Sequence, residues 1–266
     1  MHTSEISKTN KASWEKTAEI HRKLRMEELL TNFNEPGYSL LDKYETSFLV
    51  DKIQVKGKDV IQLCCNNARE LLSIKNLGAR RCVGIDITEG FIQQGKELAS
   101  VAKKDLELYS MDVFNTPESF HNSFDVCYIT VGAIIWLADL NAFCKLISKL
   151  LRPDGYLLLY DMHPILNMFD SSKDNPVIPK YSYFKTDAFI EEEGYDYFDK
   201  TAKIESKTYT FQHTLEDIFM SCLSNGLEIK EFREYKHDTT PNSFELYAKH
   251  GYPISLMLLA QKFQSF

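Results

Sequence analysis

KDVIQLCCNNARELLSIKNLGARRCVGID, Lys58–Asp86, reads as strand, tight turn, helix and second strand, closing on an acid. Val60–Leu63 is a short apolar run of strand-forming residues. Cys64–Ala68 breaks it with small, turn-prone residues. Arg69–Lys75 carries Leu71, Leu72 and Ile74 at helix-compatible spacing, and Asn76–Gly78 is a helix stop. Cys82–Ile85 is the second strand, with Asp86 at its carboxyl end. Such a βαβ unit requires a parallel sheet covered on both faces. Ligands of open α/β sheets bind outside the carboxyl ends of the strands. That rule selects Gln62–Ala68 and Asp86 together, and an acid at that place is suited to a ribose diol.

The stretch resembles the start of a class I S-adenosylmethionine-dependent methyltransferase. That family has an acid and three glycines where this chain has Gln62, Cys64, Asn66 and Ala68, so the side-chain signature is altered. The backbone N–H groups of the turn remain, and Asn66 tolerates positive φ. A GxGxxG fingerprint is absent, which argues against a nicotinamide or flavin enzyme. On this stretch alone, a βα turn without a ligand is an equal reading.

The resemblance continues along the chain. NKASWEKTAEIHRK, with Trp14 and His21, is similar to the N-terminal segment that many such enzymes fold over the cofactor; packing on the sheet edge is the competing reading. Ser13–Leu30 and Leu41–Ile53 are predicted helices, the second opened by a loose cap at Ser39–Asp42, and residues 1–12 are predicted flexible. After Asp86–Ile87, Thr88 caps a predicted helix over Phe91–Val101. Leu106–Tyr109 is the third strand; Asp112 and Val113 then occupy the positions that meet adenine in the family. Phe124–Ile129 is the fourth strand. Thr130, Ile135 and Trp136 follow it, where the resemblance implies a wall beside the reacting centre. LRPDG, residues 151–155, resembles the family's turn before its fifth strand, Tyr156–Tyr160. Residues 162–212 form an insertion rich in Tyr and Phe, with strand-like alternation at 181–184, 195–198 and 207–212. Tyr183 is a candidate acceptor contact there. Thr214 caps the next helix. Leu227–Phe232 and Phe244–Ala248 are predicted as the last two strands, and 252–266 as an apolar docking tail.

The expected fold is α/β: a Rossmann-like, seven-stranded, mostly parallel sheet with an antiparallel edge strand, an N-terminal helical lid and a small antiparallel β insertion. Segments 1–55, 56–161, 162–212 and 213–266 are the lid, cofactor core, insertion and remaining sheet. With 31 Lys and Arg against 38 Asp and Glu, the net charge of −7 disfavours a nucleic-acid partner. Six cysteines without a CxxC pair act as small hydrophobes rather than metal ligands, and fit a reducing cytoplasm. No apolar run is long enough for a membrane span. A homodimer is compatible with these features.

The resemblance implies S-adenosylmethionine as cofactor, with Gln62, Cys64, Cys65, Asn66, Asp86, Ile87, Asp112, Val113, Thr130 and Trp14 at its site. Ile135, Trp136, His163 and Tyr183 are candidate substrate contacts. Proton removal from an acceptor needs a base. His163, just past the fifth strand, is the first candidate and His213 the second; a histidine that merely fixes the strand end competes with the first. The expected activity is methyl transfer to O or N of a small organic molecule. A non-catalytic binding module and a methyltransferase acting on tRNA or protein are the alternatives.

Overall fold

The continuous apolar runs of the chain become strands buried on both faces, as parallel sheets demand. The computed structural model describes residues 3–170, 177–195, 203–239 and 244–263. Its core strands are β1 (Asp59–Leu63), β2 (Arg81–Asp86), β3 (Glu107–Ser110), β4 (Phe124–Ile129) and β5 (Leu151–Met162). Later in the chain come the short β6 (Phe189–Glu191), β7 (Gly194–Tyr195), β8 (Lys203–Ile204) and β9 (Thr208–Thr210), then β10 (Leu227–Tyr235) and β11 (Ser255–Lys262). The seven-stranded sheet has the order β10-β11-β5-β4-β1-β2-β3. β1 is central: Gln62 lies opposite Gly84 of β2 on one side and Tyr128 of β4 on the other. The strand order reverses between β1 and β4, so the crevice at their carboxyl ends is the expected ligand position.

The helices are α1 (Thr3–Asn34), α2 (Lys43–Ser47), α3 (Arg69–Asn76), α4 (Glu89–Val101), α5 (Leu140–Leu150), α6 (Leu215–Leu223) and α7 (Glu245–Lys249). α5 and α6 cover one face of the sheet, with Phe143, Ile147, Ile218 and Cys222 in its core cluster. On the other face, α3 and the turn after α2 pack Leu71, Ile74, Phe48 and Leu49 against Val60, Val126 and Tyr128. Arg152 ties the opposite end of the sheet together, bonding Asp59 and Asp125 at 2.8 Å each.

Four expectations need correction. α1 starts at Thr3, within the segment predicted to be flexible, where Asn10 is buried and bonded to the Tyr209 backbone of β9. The second helix is short and runs into a π-turn at Phe48–Lys52; its cap is Asp42, paired with Glu45 in a reciprocal capping box. Phe244–Ala248 is not a strand: α7 stands there, and the last strand is β11, inside the supposed docking tail. β11 runs antiparallel to both β5 and β10, and its Ser255–Ala260 segment is buried throughout. The five-residue uninterrupted apolar run Leu256–Ala260 fits a strand with neighbours on both sides better than a surface tail. In the insertion, 181–184 is turn rather than strand, and the ladders are β6 with β9 and β7 with β8. Residues 196–198 of the second alternating run lie outside the described residues.

Candidate cofactor site

Three residues of the β1–α3 turn carry left-handed backbone: Cys64 at φ 55°, Asn66 at 50° and Ala68 at 55°. These are the positions where glycine would be free of strain. The chain keeps the glycine geometry with non-glycine residues. Asp86, at the end of β2, holds the turn in place. Its Oδ2 accepts from Asn66 N–H at 2.8 Å and its Oδ1 from Thr88 N–H at 2.9 Å. Burial pushes its carboxyl above the ordinary value, and these two N–H donors pull it back. Gly84, one strand over, is required by close approach: a Cβ there would stand 2.7 Å from Leu108 Cδ2 and 2.9 Å from Cys65 Sγ.

The turn opens onto a cavity of about 660 Å³ between α1 and the carboxyl ends of the strands. Of the residues selected from sequence, Cys64, Cys65, Asn66, Asp86, Ile87, Asp112, Val113, Thr130, Trp14, Ile135 and Trp136 line it. Asp112 also accepts from Phe114 N–H at 3.0 Å, which fixes the turn after β3. Trp14 of α1 and Trp136 of the β4–α5 segment meet edge to face at 5.0 Å, and Trp14 also packs on Phe91 at 6.1 Å. Glu15 reaches from α1 to the start of α4, accepting from Glu89 N–H at 2.9 Å and Gly90 N–H at 3.0 Å. Thr88 makes no side-chain cap there, so α1 supplies one. Asn10 exchanges two 2.8 Å bonds with the Tyr209 backbone of β9. These contacts hold the first helix down as a roof.

Four selected residues lie off the cavity wall. Gln62 is fully buried in β1, and both atoms of its amide lack a hydrogen-bond partner. His163 is a cap: its Nδ1 accepts from Ile165 N–H at 3.2 Å, and Nε2 stands 3.0 Å from Glu234 of β10. Burial lowers its pKa, and Glu234 works against that. His213 donates from Nε2 to the Leu137 carbonyl at 2.8 Å, and burial lowers its pKa as well. The Tyr183 hydroxyl accepts from Leu215 N–H and serves α6. Both histidines sit where the chain changes direction, and the bonds they make run to Ile165, Glu234 and Leu137.

Sequence reasoning missed a second polar wall. Asp42, Glu45, Tyr160 and His237 all line the cavity. Asp42 Oδ1 accepts from the N–H groups of Tyr44 and Glu45, and Oδ2 from the Tyr160 hydroxyl at 2.7 Å. His237 Nε2 is 3.1 Å from the same Oδ2. Glu45 accepts from the Tyr128 hydroxyl, and burial pushes its carboxyl up to about 7. The Asp42–Glu45 spacing was visible as a capping box. Nothing local marks a capping box as cavity lining, and His237 in the segment after β10 has no motif at all.

This arrangement has the parts a nucleoside-bearing cofactor needs: an acid with lone pairs to spare, a turn with left-handed backbone, and a second acid at the end of the next strand. Residues 61–159 match the methyltransferase domain family. An S-adenosylmethionine-dependent methyltransferase from Methanosarcina mazei superposes with a TM-score of 0.59 at 17% identity, covering 85% of this chain and 99% of that one. Geranyl diphosphate C-methyltransferase from Streptomyces coelicolor, solved with S-adenosyl-L-homocysteine, gives 0.57 at 11% identity, covering 82% and 78%. A tRNA U34 carboxymethyltransferase from Campylobacter lari is 25% identical over 132 residues, half of this chain. The chain spans 29% and 43% of the length of the curated relatives it matches. Residues 61–159 thus match a methyltransferase domain, and the fold is the one seen in the class of S-adenosylmethionine-dependent methyltransferases. S-adenosylmethionine is the cofactor of that class. Among the described residues, no helix is long and apolar enough to cross a membrane.

Proposed function

We propose that the chain transfers a methyl group from S-adenosylmethionine to O or N of a small organic acceptor by in-line displacement. The observation that carries this reading is the roofed cavity. Its volume of about 660 Å³ falls in the range of small-molecule sites, and α1 lies across it.

The cofactor supplies an electrophilic methyl group. This chain's residues bind, orient and exclude water. Asp86 would accept from the ribose hydroxyls, and Asp112 and Val113 would meet the adenine. Trp14, Ile135, Trp136, Met162 and Phe244 form the apolar part of the wall, which positions an acceptor and keeps it dry. An acceptor hydroxyl or amine must lose a proton. His237, braced by Asp42 at 3.1 Å, is the imidazole on the cavity wall and takes over the role expected of His163 and His213.

Two measurements test the reading. Titration calorimetry with S-adenosylhomocysteine on the wild-type chain and Asp86→Ala should show a loss of about 10- to 100-fold, the value of bonds to a charged group. Transfer of a tritiated methyl group should then label a metabolite fraction below the cutoff of a desalting column. Label confined to tRNA or protein would replace the small-molecule reading with a macromolecular one.

A further inference from the structure

Of the carboxylates on the cavity wall, Glu45 is held by neutral donors, as Asp86 and Asp112 are, but unlike them it has no part in the proposed nucleoside contacts. Glu28 pairs with Arg25 and Glu70 with Arg69. Asp86 and Asp112 serve backbone N–H groups, and Asp42 has His237 beside it. Glu45 is 7% exposed, and the contacts that hold its carboxylate are neutral donors: the Tyr128 hydroxyl and the Asp42 backbone N–H. Buried carboxylates are expected to be paired. Burial has pushed this one to about 7, which is the mark of an acid without sufficient countercharge.

Its place in the fold says which cation would complete it. Tyr128, its donor, lies beside Gln62 in the β1–β4 register. Glu70, at the start of α3, is near enough to raise its pKa. Glu45 shares the cavity wall with Glu70 and with the β1–α3 turn. The cofactor's amino-acid tail carries an ammonium group, and Glu45 lines the same cavity as the Cys64–Asn66 turn. Gln62, opposite Tyr128, is neutral, and among the described residues its buried amide has no hydrogen-bond partner.

We propose that Glu45 binds the α-ammonium group of the cofactor, with Tyr128 holding the carboxylate in position from below. The inference rests on the cavity being the cofactor site. Binding and its pH dependence then share one cause. Groups facing Glu45 are Asp42 on its own helix, Tyr128 of β4, Tyr160 of β5 and Glu70 with its partner Arg69 on α3; His237 reaches it through Asp42.

The test is calorimetric titration of the whole chain with two probes. S-adenosylhomocysteine has the ammonium group; 5′-methylthioadenosine shares its adenosine and thioether but lacks the amino acid. Glu45→Gln should weaken the first about tenfold or more and leave the second within about twofold. In the wild-type chain, affinity for S-adenosylhomocysteine should fall about tenfold from pH 7.5 to 5.5 as Glu45 takes up a proton. The 5′-methylthioadenosine affinity should stay flat, as should both profiles in Glu45→Gln. If Glu45→Gln binds S-adenosylhomocysteine like the wild type, or weakens both probes equally, the proposal is overturned and the cofactor site stands. If the wild-type chain binds neither probe, the cofactor reading falls with it. Should Glu45→Gln fail to fold, the wild-type pH comparison decides alone, a flat S-adenosylhomocysteine profile refuting the proposal.

Discussion

Replacing Glu45 by Gln should stabilise the ligand-free chain at neutral and higher pH. Its carboxyl rises from 4.5 to about 7 on folding because it is buried. A raised folded-state pKa means the native chain binds this proton more tightly than the unfolded chain does. Stability is therefore highest below 4.5 and falls as pH climbs through 7. The difference corresponds to about 3 kcal/mol once the group is ionised in both states. Gln keeps the acceptor for Tyr128 and gives up the bond from Asp42 N–H, which returns about 1 kcal/mol. For 266 residues, a net gain of about 2 kcal/mol raises Tm by ~4 °C. Differential scanning calorimetry should show Glu45→Gln melting about that much above wild type at pH 8. At pH 5 the carboxyl term shrinks below ~1 kcal/mol, and the two curves converge. A gap independent of pH, or a wild-type chain that is the more stable at pH 8, would refute the reasoning. Function traded against stability at one buried acid is a common feature of binding sites.

Two other outcomes follow from the geometry. Asn66→Val puts a β-branched residue at φ 50° and should cost about 2 kcal/mol in urea unfolding while weakening S-adenosylhomocysteine; Asn66→Gly should retain both stability and affinity. Asn10→Ala removes both bonds between α1 and Tyr209, so limited proteolysis within residues 5–20 should accelerate by about tenfold, and unchanged protection would mean the roof is held elsewhere.

The cofactor half of this fold was legible because its signals are local. Val60–Leu63, Cys82–Ile85 and Phe124–Ile129 are apolar runs bounded by turn residues, and a strand buried on both faces has to look like that. Asp86 was selected by its place at a strand end and Asp112 by the resemblance, and both line the cavity. The C-terminal third was misread where one local pattern fits two states. Phe244–Ala248 alternates like a strand but closes as a short helix, and the β11 run resembles any docking tail until β5 and β10 are known to flank it. His163 shows the same limit: its position past β5 was right, but its ring turns to Glu234 and to its own turn rather than to the cavity.

The sequence by itself determined the βαβ unit, the order of strands through β5 and the acids that end β2 and follow β3. Periodicity and strand-end position are properties of neighbouring residues. Only the tertiary structure decided that non-glycine residues keep left-handed backbone at Cys64, Asn66 and Ala68. It also placed Asp42, Glu45, Tyr160 and His237, from three separate segments, on one wall. A side chain's pKa and partners depend on which distant segments bury it, and no spacing in the chain encodes that.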